Sequence, residues 1–129
     1  MKKFITILVL LSMCSFADTC DNPVMKDKVK EETYVLPLKI SDDNTIISVS
    51  CVDNNYEITY SSSSKSLRTL TSISDSENKY VLCLYMDPIV KDLVLPSGRA
   101  TERFLDKNSI ERYKVSVTYN ECKKLIPDF

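Results

Sequence analysis

The spacing of the cysteines constrains the fold of this chain more than any other feature of its sequence. The 129 residues include five cysteines, of which Cys14 lies in an apolar segment near the N-terminus. The other four are Cys20, Cys51, Cys83 and Cys122. They contain no C-x-x-C pair, and redox-active pairs and four-cysteine zinc sites normally use closely spaced cysteines. An even set in a small exported domain predicts two structural disulfides.

The N-terminal segment predicts that the chain is exported. Residues 1–17 begin with two lysines, continue through an apolar stretch and end with small residues at Ser15 and Ala17, which is the pattern of a secretory signal. The apolar stretch is shorter than the about 20 residues that a transmembrane helix needs. We therefore expect residues 18–129 to form a single exported domain without a transmembrane segment, in the periplasm of a bacterium or secreted from it.

Cys14 raises the alternative of a lipid anchor. The run Leu11-Ser12-Met13-Cys14 places a cysteine behind the apolar stretch, as a lipid-attachment motif does. Such motifs have a small residue directly before the cysteine, whereas Met13 is large. We therefore do not predict lipoprotein anchoring through Cys14.

The residue types that the sequence lacks exclude several functions. The chain has no histidine and a single glycine, so it cannot build a Ser-His or Cys-His catalytic site, a histidine-ligated metal site or a glycine-rich phosphate loop. Without residues 1–17, 15 basic and 18 acidic residues give a net charge of −3. A nucleic-acid-binding protein needs clustered positive charge. We predict no cofactor, no metal and no nucleic-acid partner.

Local patterns predict an α+β fold in the order α-β-β-α-β-β. An asparagine before Pro23 predicts the start of a first helix, and capping residues near Asp75 and Asp87 predict two further stretches of helix. Residues 45–62 and 99–119 each predict a β-hairpin. We expect a disulfide-stapled antiparallel sheet of about four strands with helices on one face.

The alternation in the first hairpin predicts which side chains face the core. A turn at Asn54-Asn55 sets Asp53 opposite Tyr56 and places Ile47, Val49 and Cys51 on one mainly apolar face. Cys51 therefore points toward the core.

Three segments have a less definite role. Residues 34–40 read as extended, but Pro37 does not suit a central strand. The serine-rich residues 61–66 predict a flexible connector. Residues 67–73 fit either a helical turn or a packed loop.

The four cysteines can pair in three ways. The predicted elements favour Cys20–Cys51 and Cys83–Cys122, because a cysteine in the second helical region can meet one at the end of the last strand across the core. The spacing alone leaves the other pairings open.

The region from residue 34 to Cys122 resembles small exported bacterial proteins of unknown function. The resemblance rests on Leu36-Pro37, on a cysteine in a predicted helix and on a final Y-x-V-x-V strand, residues 113–117, that is followed by Cys122. It implies a disulfide between a helix and a strand, Cys83–Cys122. It implies no catalytic activity.

The second hairpin predicts a basic ribbon on its outer face. If Leu105 lies opposite Ile110, Arg103 lies opposite Arg112, and like charges in that arrangement cost stability. The ribbon consists of Arg99, Arg103, Arg112 and Lys114. A solvated polar face is the simplest interpretation, and an anionic surface or an acidic patch on another protein is the partner that such a ribbon would fit.

Two pairs of acidic residues, Asp42-Asp43 and Asp53 with Glu57, are the catalytic candidates, and both fall in predicted turns, where carboxylates are usually solvated. We therefore predict a non-enzymatic binding or accessory protein, in the first instance a small inhibitor or immunity-type module that acts by protein–protein contact. A structural subunit of an envelope or secretion assembly is the alternative. A small carboxylate-dependent hydrolase is the third interpretation.

Intact-mass measurement of material from the native host tests the export prediction. We expect the mass of residues 18–129 less the four thiol hydrogens, because the leader is removed and both disulfides form after export. A retained leader, or four thiols that react with an alkylating reagent without prior reduction, would contradict it.

Overall fold

A computed structural model describes residues 18–129 of the protein, and the predicted signal, with Cys14, lies outside the described residues. After a 3₁₀ turn at Thr19–Asp21, the helices are α1 Pro23–Tyr34, α2 Ser64–Ser72, α3 Asp75–Leu84, α4 Pro88–Leu93 and α5 Tyr119–Leu125. The strands are β1 Leu38–Lys39, β2 Asn44–Val52, β3 Asn55–Ser62, β4 Arg99–Leu105 and β5 Glu111–Thr118. Within this range, no helix combines the length and the apolar character needed to span a bilayer.

The sheet has five strands in the order β1-β2-β3-β4-β5 and is mixed. The prediction of a purely antiparallel sheet is wrong at its centre, where β3 and β4 run parallel. Between them the chain passes through α2, α3 and α4, and this helical crossover returns it to the end of the sheet where β3 began. The fifth strand is the two-residue β1, which pairs with β2 at the edge.

The first hairpin turns one residue earlier than predicted. Asp53 and Asn54 occupy the turn with φ of 53° and 59°, the left-handed conformation that a type I′ turn requires. Tyr56 consequently lies opposite Cys51 instead of Asp53. Moving the turn by one residue changes the pairing by two residues, so Val49 and Cys51 keep their predicted face.

An irregularity in β2 changes the prediction for Ile47. The register shifts between Ile46 and Ser48, as an extra residue in one strand does. Ile46 packs against the core, whereas Ile47 is 40% exposed. Ile47 therefore does not join the apolar face that strict alternation predicts.

Two further helices are present: α2 includes residues 67–72, which agrees with the helical alternative for that segment, and α5 was not predicted. The serine run is not a flexible connector, because Ser63 accepts a hydrogen bond from the Ser66 amide and starts α2. At the C-terminus, Thr118 and Glu121 form a reciprocal capping box that starts α5. Cys122 therefore lies in a helix and not at the end of the sheet.

The core lies between one face of the sheet and the helices. All five helices contribute to it: Met25 from α1, Leu67 and Leu70 from α2, Cys83 from α3, Val90 from α4 and Cys122 from α5. On the sheet, Tyr60 stacks on Phe104 with ring centroids 4.9 Å apart, which places two aromatic rings on the central strands. The opposite face of the sheet is mostly polar.

The two disulfides are those that the sequence analysis favours. Cys20–Cys51 joins the 3₁₀ turn to β2, with Cα atoms 5.3 Å apart, and Cys83–Cys122 joins α3 to α5, with Cα atoms 5.5 Å apart. The second bridge thus connects two helices, not a helix and a strand. The bridged residues are 31 and 39 apart, so each bridge contributes about 3–4 kcal/mol on the chain-entropy account.

The turn between β2 and β3 joins three parts of the chain. The Asp18 carboxylate accepts hydrogen bonds from the amides of Cys20, Asp53 and Asn54 at 2.8–2.9 Å. These bonds, that from the Cys20 amide above all, lower the pKa of Asp18 despite an opposing effect of burial. The Asn54 carbonyl accepts from the Arg99 amide at 2.9 Å, where β4 begins. The first hairpin is therefore tied to both the N-terminal segment and β4.

The single glycine of the chain sits at this junction. A Cβ at Gly98 would overlap the carbonyl oxygen of Asn54 and lie 2.9 Å from the carbonyl carbon. We expect Gly98→Ala to lower the free energy of unfolding by about 1–3 kcal/mol, because backbone atoms must move to admit the methyl group. Chemical denaturation measures the loss, and Ser97→Ala at the exposed neighbouring position is the control. Equal midpoints for the two variants would contradict the close approach.

Candidate functional site

A groove lies on the helical side of the sheet, above its two central strands. Its position follows from the packing of the helices, because α1 contacts mainly β2 and α3 contacts mainly β5, which leaves the space over β3 and β4 partly open. We call this space the central groove, and its volume is about 420 Å³. Its floor consists of Tyr56, Ile58, Tyr60, Ala100 and Glu102, and its walls of Glu32, Val81, Leu82, Tyr85, Met86, Asp87 and Val90.

One wall of the central groove is held by a network of charged groups. The Lys28 amine donates a hydrogen bond to Asp87 at 2.9 Å and lies 3.4 Å from Glu32. The Tyr56 hydroxyl donates to Glu32 at 2.8 Å. Burial disfavours the charged form of Lys28, but these two carboxylates outweigh it and raise the pKa of the amine. The network joins α1 to the start of α4. The positive charge of Lys28 is paired with the negative charges of Glu32 and Asp87.

Glu102 on the floor has no such partner. Its carboxylate accepts a hydrogen bond from the Tyr60 hydroxyl at 2.6 Å. Within residues 18–129, no lysine or arginine nitrogen lies within 4.0 Å of it. Burial raises the pKa of Glu102, and the bond from Tyr60 offsets that effect only in part. The floor therefore carries a carboxylate that is poorly compensated in this state.

The rim of the central groove is apolar and exposed. Tyr85 is 79% exposed and Val81 is 48% exposed, and the neighbouring Leu84 and Tyr80 are also exposed. Exposed apolar side chains that border a concave surface are typical of sites that bind another protein. A groove with an apolar rim, a charged wall and one uncompensated carboxylate can hold a protein segment by contact alone.

The residues of the predicted basic ribbon lie together on the opposite face of the sheet, but in another register. Arg103 lies opposite Lys114 and not opposite Arg112. The Arg103 guanidinium pairs with Glu111 at 2.6 Å, and that of Arg112 pairs with Asp106 at 2.8 Å.

Carboxylates of the protein itself thus neutralise part of the basic ribbon. Arg99 and Lys114 are exposed, and neither has an ion pair with another described residue. Binding of an anionic surface by the ribbon stays a prediction.

The acidic pairs lie outside the central groove. Asp43 accepts a hydrogen bond from the Ser63 hydroxyl at 2.7 Å, and Asp42 is exposed beside Lys39. Asp53 occupies the first turn, and Glu57 lies on the outer face of β3, 3.9 Å from Arg103. Neither pair forms the enclosed acid and base that glycoside-type hydrolysis uses.

The sequence analysis did not single out Glu102, although the sequence contains a signal for it. In β4 the inner side chains are Ala100, Glu102 and Phe104, which lie opposite Val117, Val115 and Tyr113. A charged residue at an inner position of an alternating strand is unusual, because the cost of removing its charge from water needs compensation. This position in the alternating pattern was sufficient to identify Glu102 as a candidate binding residue.

Three solved structures of bacterial proteins are similar to this fold. A Pseudomonas aeruginosa protein assigned as secreted matches 75% of this chain and 88% of its own, with a TM-score of 0.64 and 16% identity. A pilotin of the type 2 secretion system of Vibrio vulnificus matches 74% and 86%, with a TM-score of 0.55 and 17% identity. The corresponding Vibrio cholerae pilotin matches the same shares, 74% and 86%, with a TM-score of 0.50 and 14% identity.

The TM-scores of these structures show a similar fold. No protein-family model and no curated protein matches the sequence.

Replacement of Glu102 by glutamine tests its environment. The pKa of Glu102 is higher in the folded protein than in the unfolded chain, where it has its ordinary value of 4.5. The contribution of Glu102 to the stability of the fold therefore falls as the pH rises above 4.5. We expect Glu102→Gln to raise the free energy of unfolding at pH 7 by about 1 kcal/mol, and the gain to shrink at pH 4. Denaturation at both pH values measures it.

The control for this experiment is Asp42→Asn, which removes a carboxylate whose side chain is 98% exposed. Its unfolding free energy should follow the wild type at both pH values. A Glu102→Gln variant less stable than the wild type at pH 7 would contradict the assignment of an uncompensated charge.

Proposed function

We propose that this protein is an exported, non-enzymatic accessory of a bacterial envelope or secretion assembly, and that it binds a segment of a partner protein in the central groove. The observation that carries the proposal is the groove itself, whose exposed apolar rim at Val81 and Tyr85 borders a floor of central strands. The fold that this chain shares with pilotins of type 2 secretion systems supports a role in such an assembly.

The cysteines support the localisation. Both disulfides bury at least one of their cysteines, with Cys20, Cys83 and Cys122 no more than 5% exposed. Structural disulfides of this kind persist in the periplasm or outside the cell and are rare in the cytosol. The disulfides therefore support our proposal that the protein is periplasmic or secreted, which the sequence of residues 1–17 also predicts.

An inhibitor or immunity module that inserts the tip of its first hairpin has less support. Asp18 holds the amides of that turn, and Asn54 accepts hydrogen bonds from the amide and the hydroxyl of Thr19 at 2.7 and 2.8 Å. These polar groups already have partners within the chain, so little of the turn is left for recognition. The central groove offers more apolar surface than this turn does. We therefore propose that the protein binds its partner through the groove.

Site-specific photocrosslinking in the source bacterium tests this function. A benzophenone amino acid replaces Val81 on the groove rim or, as the matched control, Lys114 on the outer face of the sheet. We expect Val81 to give a discrete adduct with a protein that mass spectrometry identifies as part of an envelope or secretion assembly, and Lys114 to give none.

Other adducts would contradict the proposal in distinct ways. Crosslinking from Lys114 alone would transfer the binding site to the basic ribbon. An adduct between Val81 and a free enzyme would favour the inhibitor interpretation, and no adduct from Val81 would remove the central groove as a site of protein binding.

A further inference from the structure

We infer that the partner segment in the central groove presents one lysine or arginine among apolar residues, and that Glu102 is the counter-charge for this cation. The inference rests on the proposed function, because it specifies the chemistry of the segment that the groove binds. It assigns Glu102 as the residue that determines specificity.

The surroundings of Glu102 show why a cation fits there. The residue lies on a central strand beside Ile58 of β3 and Val115 of β5. An ionised carboxylate between apolar neighbours, with one hydroxyl as its partner, bears a desolvation cost that a single neutral hydrogen bond does not offset. An ammonium or guanidinium group would form a short charge-assisted hydrogen bond and relieve that cost.

The other carboxylates of the groove do not compete for the incoming cation. Glu32 accepts from Tyr56 and lies beside Lys28, and Asp87 accepts from the same lysine. Asp87 also accepts from the Ile89 amide as the cap of α4. The charges of the wall are therefore satisfied within the protein, and Glu102 is the groove carboxylate left for a partner.

The shape of the groove restricts the kind of cation. Leu82 and Met86 of the walls and Ile58 of the floor line the groove together with Glu102. Lysine and arginine have aliphatic stems that can lie along such apolar walls while the charged end reaches a polar group. Apolar neighbours of the basic residue would cover Val81 and Tyr85 on the rim. A free metal ion would meet one carboxylate and few other oxygen ligands.

Selection from a library of displayed random 16-residue peptides tests the inference on residues 18–129 with both disulfides formed. Pools are selected separately against the wild type, Glu102→Gln and the exposed-site control Asp42→Asn. We expect the wild-type and Asp42→Asn pools to converge on one lysine or arginine flanked by apolar residues. A synthetic peptide from these pools should bind Glu102→Gln about tenfold or more weakly.

A matched peptide completes a double-mutant cycle. In it, norleucine replaces the basic residue, and this peptide should bind Glu102→Gln at least as tightly as the wild type, because norleucine offers Glu102 no opposite charge. Unfolding curves for each variant verify that the fold is intact.

The outcomes separate this inference from the proposed function. Selected peptides that lose binding to a Val81→Glu variant, but lack a basic residue or bind Glu102→Gln as tightly as the wild type, would overturn the role of Glu102 and leave the groove as a binding site. Failure to select any peptide that depends on Val81 would overturn both.

Discussion

The parallel pairing of β3 with β4 is the constraint on which the rest of the structure depends. Parallel neighbours need a crossover, and here α2, α3 and α4 form it on one face of the sheet. The same pairing sets Tyr60 beside Phe104 and brings Glu102 to the middle of the sheet. The parallel pairing begins where Gly98 passes close to the Asn54 carbonyl. This close backbone contact helps to fix the register of the central strands, which form the floor of the groove.

Local chemistry in the sequence predicted the elements better than their arrangement. Caps before Pro23 and Pro88, a turn that needs positive φ and strict alternation in residues 113–117 are short-range signals, and helices, hairpins and the inner face of β5 follow from them. The direction of β4 relative to β3 depends on how three helices pack, which no local pattern contains. Helix α5, in contrast, could have been predicted from a local pattern, because the T-x-x-E capping box that starts at Thr118 is present in the sequence.

The candidate site was harder to predict than the fold for a physical reason. The sequence predicts the basic ribbon from the charged residues along a strand. It does not predict that Glu111 and Asp106 neutralise Arg103 and Arg112, because these contacts depend on strand register and loop geometry. Conversely, Glu102 can be recognised as a charged residue on the helical side of the sheet once β4 is known to be an inner strand. Arg103 and Arg112 on the outer face and the charged groups of the groove wall thus have partners of opposite charge, whereas Glu102 on the groove floor has none among the described residues.

The bridge between Cys83 and Cys122 restrains one wall of the central groove. It fastens α3, which carries Val81 and Leu82, to the C-terminal helix. A wall held in place before its occupant arrives loses little conformational freedom on association, so more of the contact free energy appears as affinity. A reduced chain lacks that restraint, so under the proposed function the formation of this disulfide after export would strengthen binding of the partner segment.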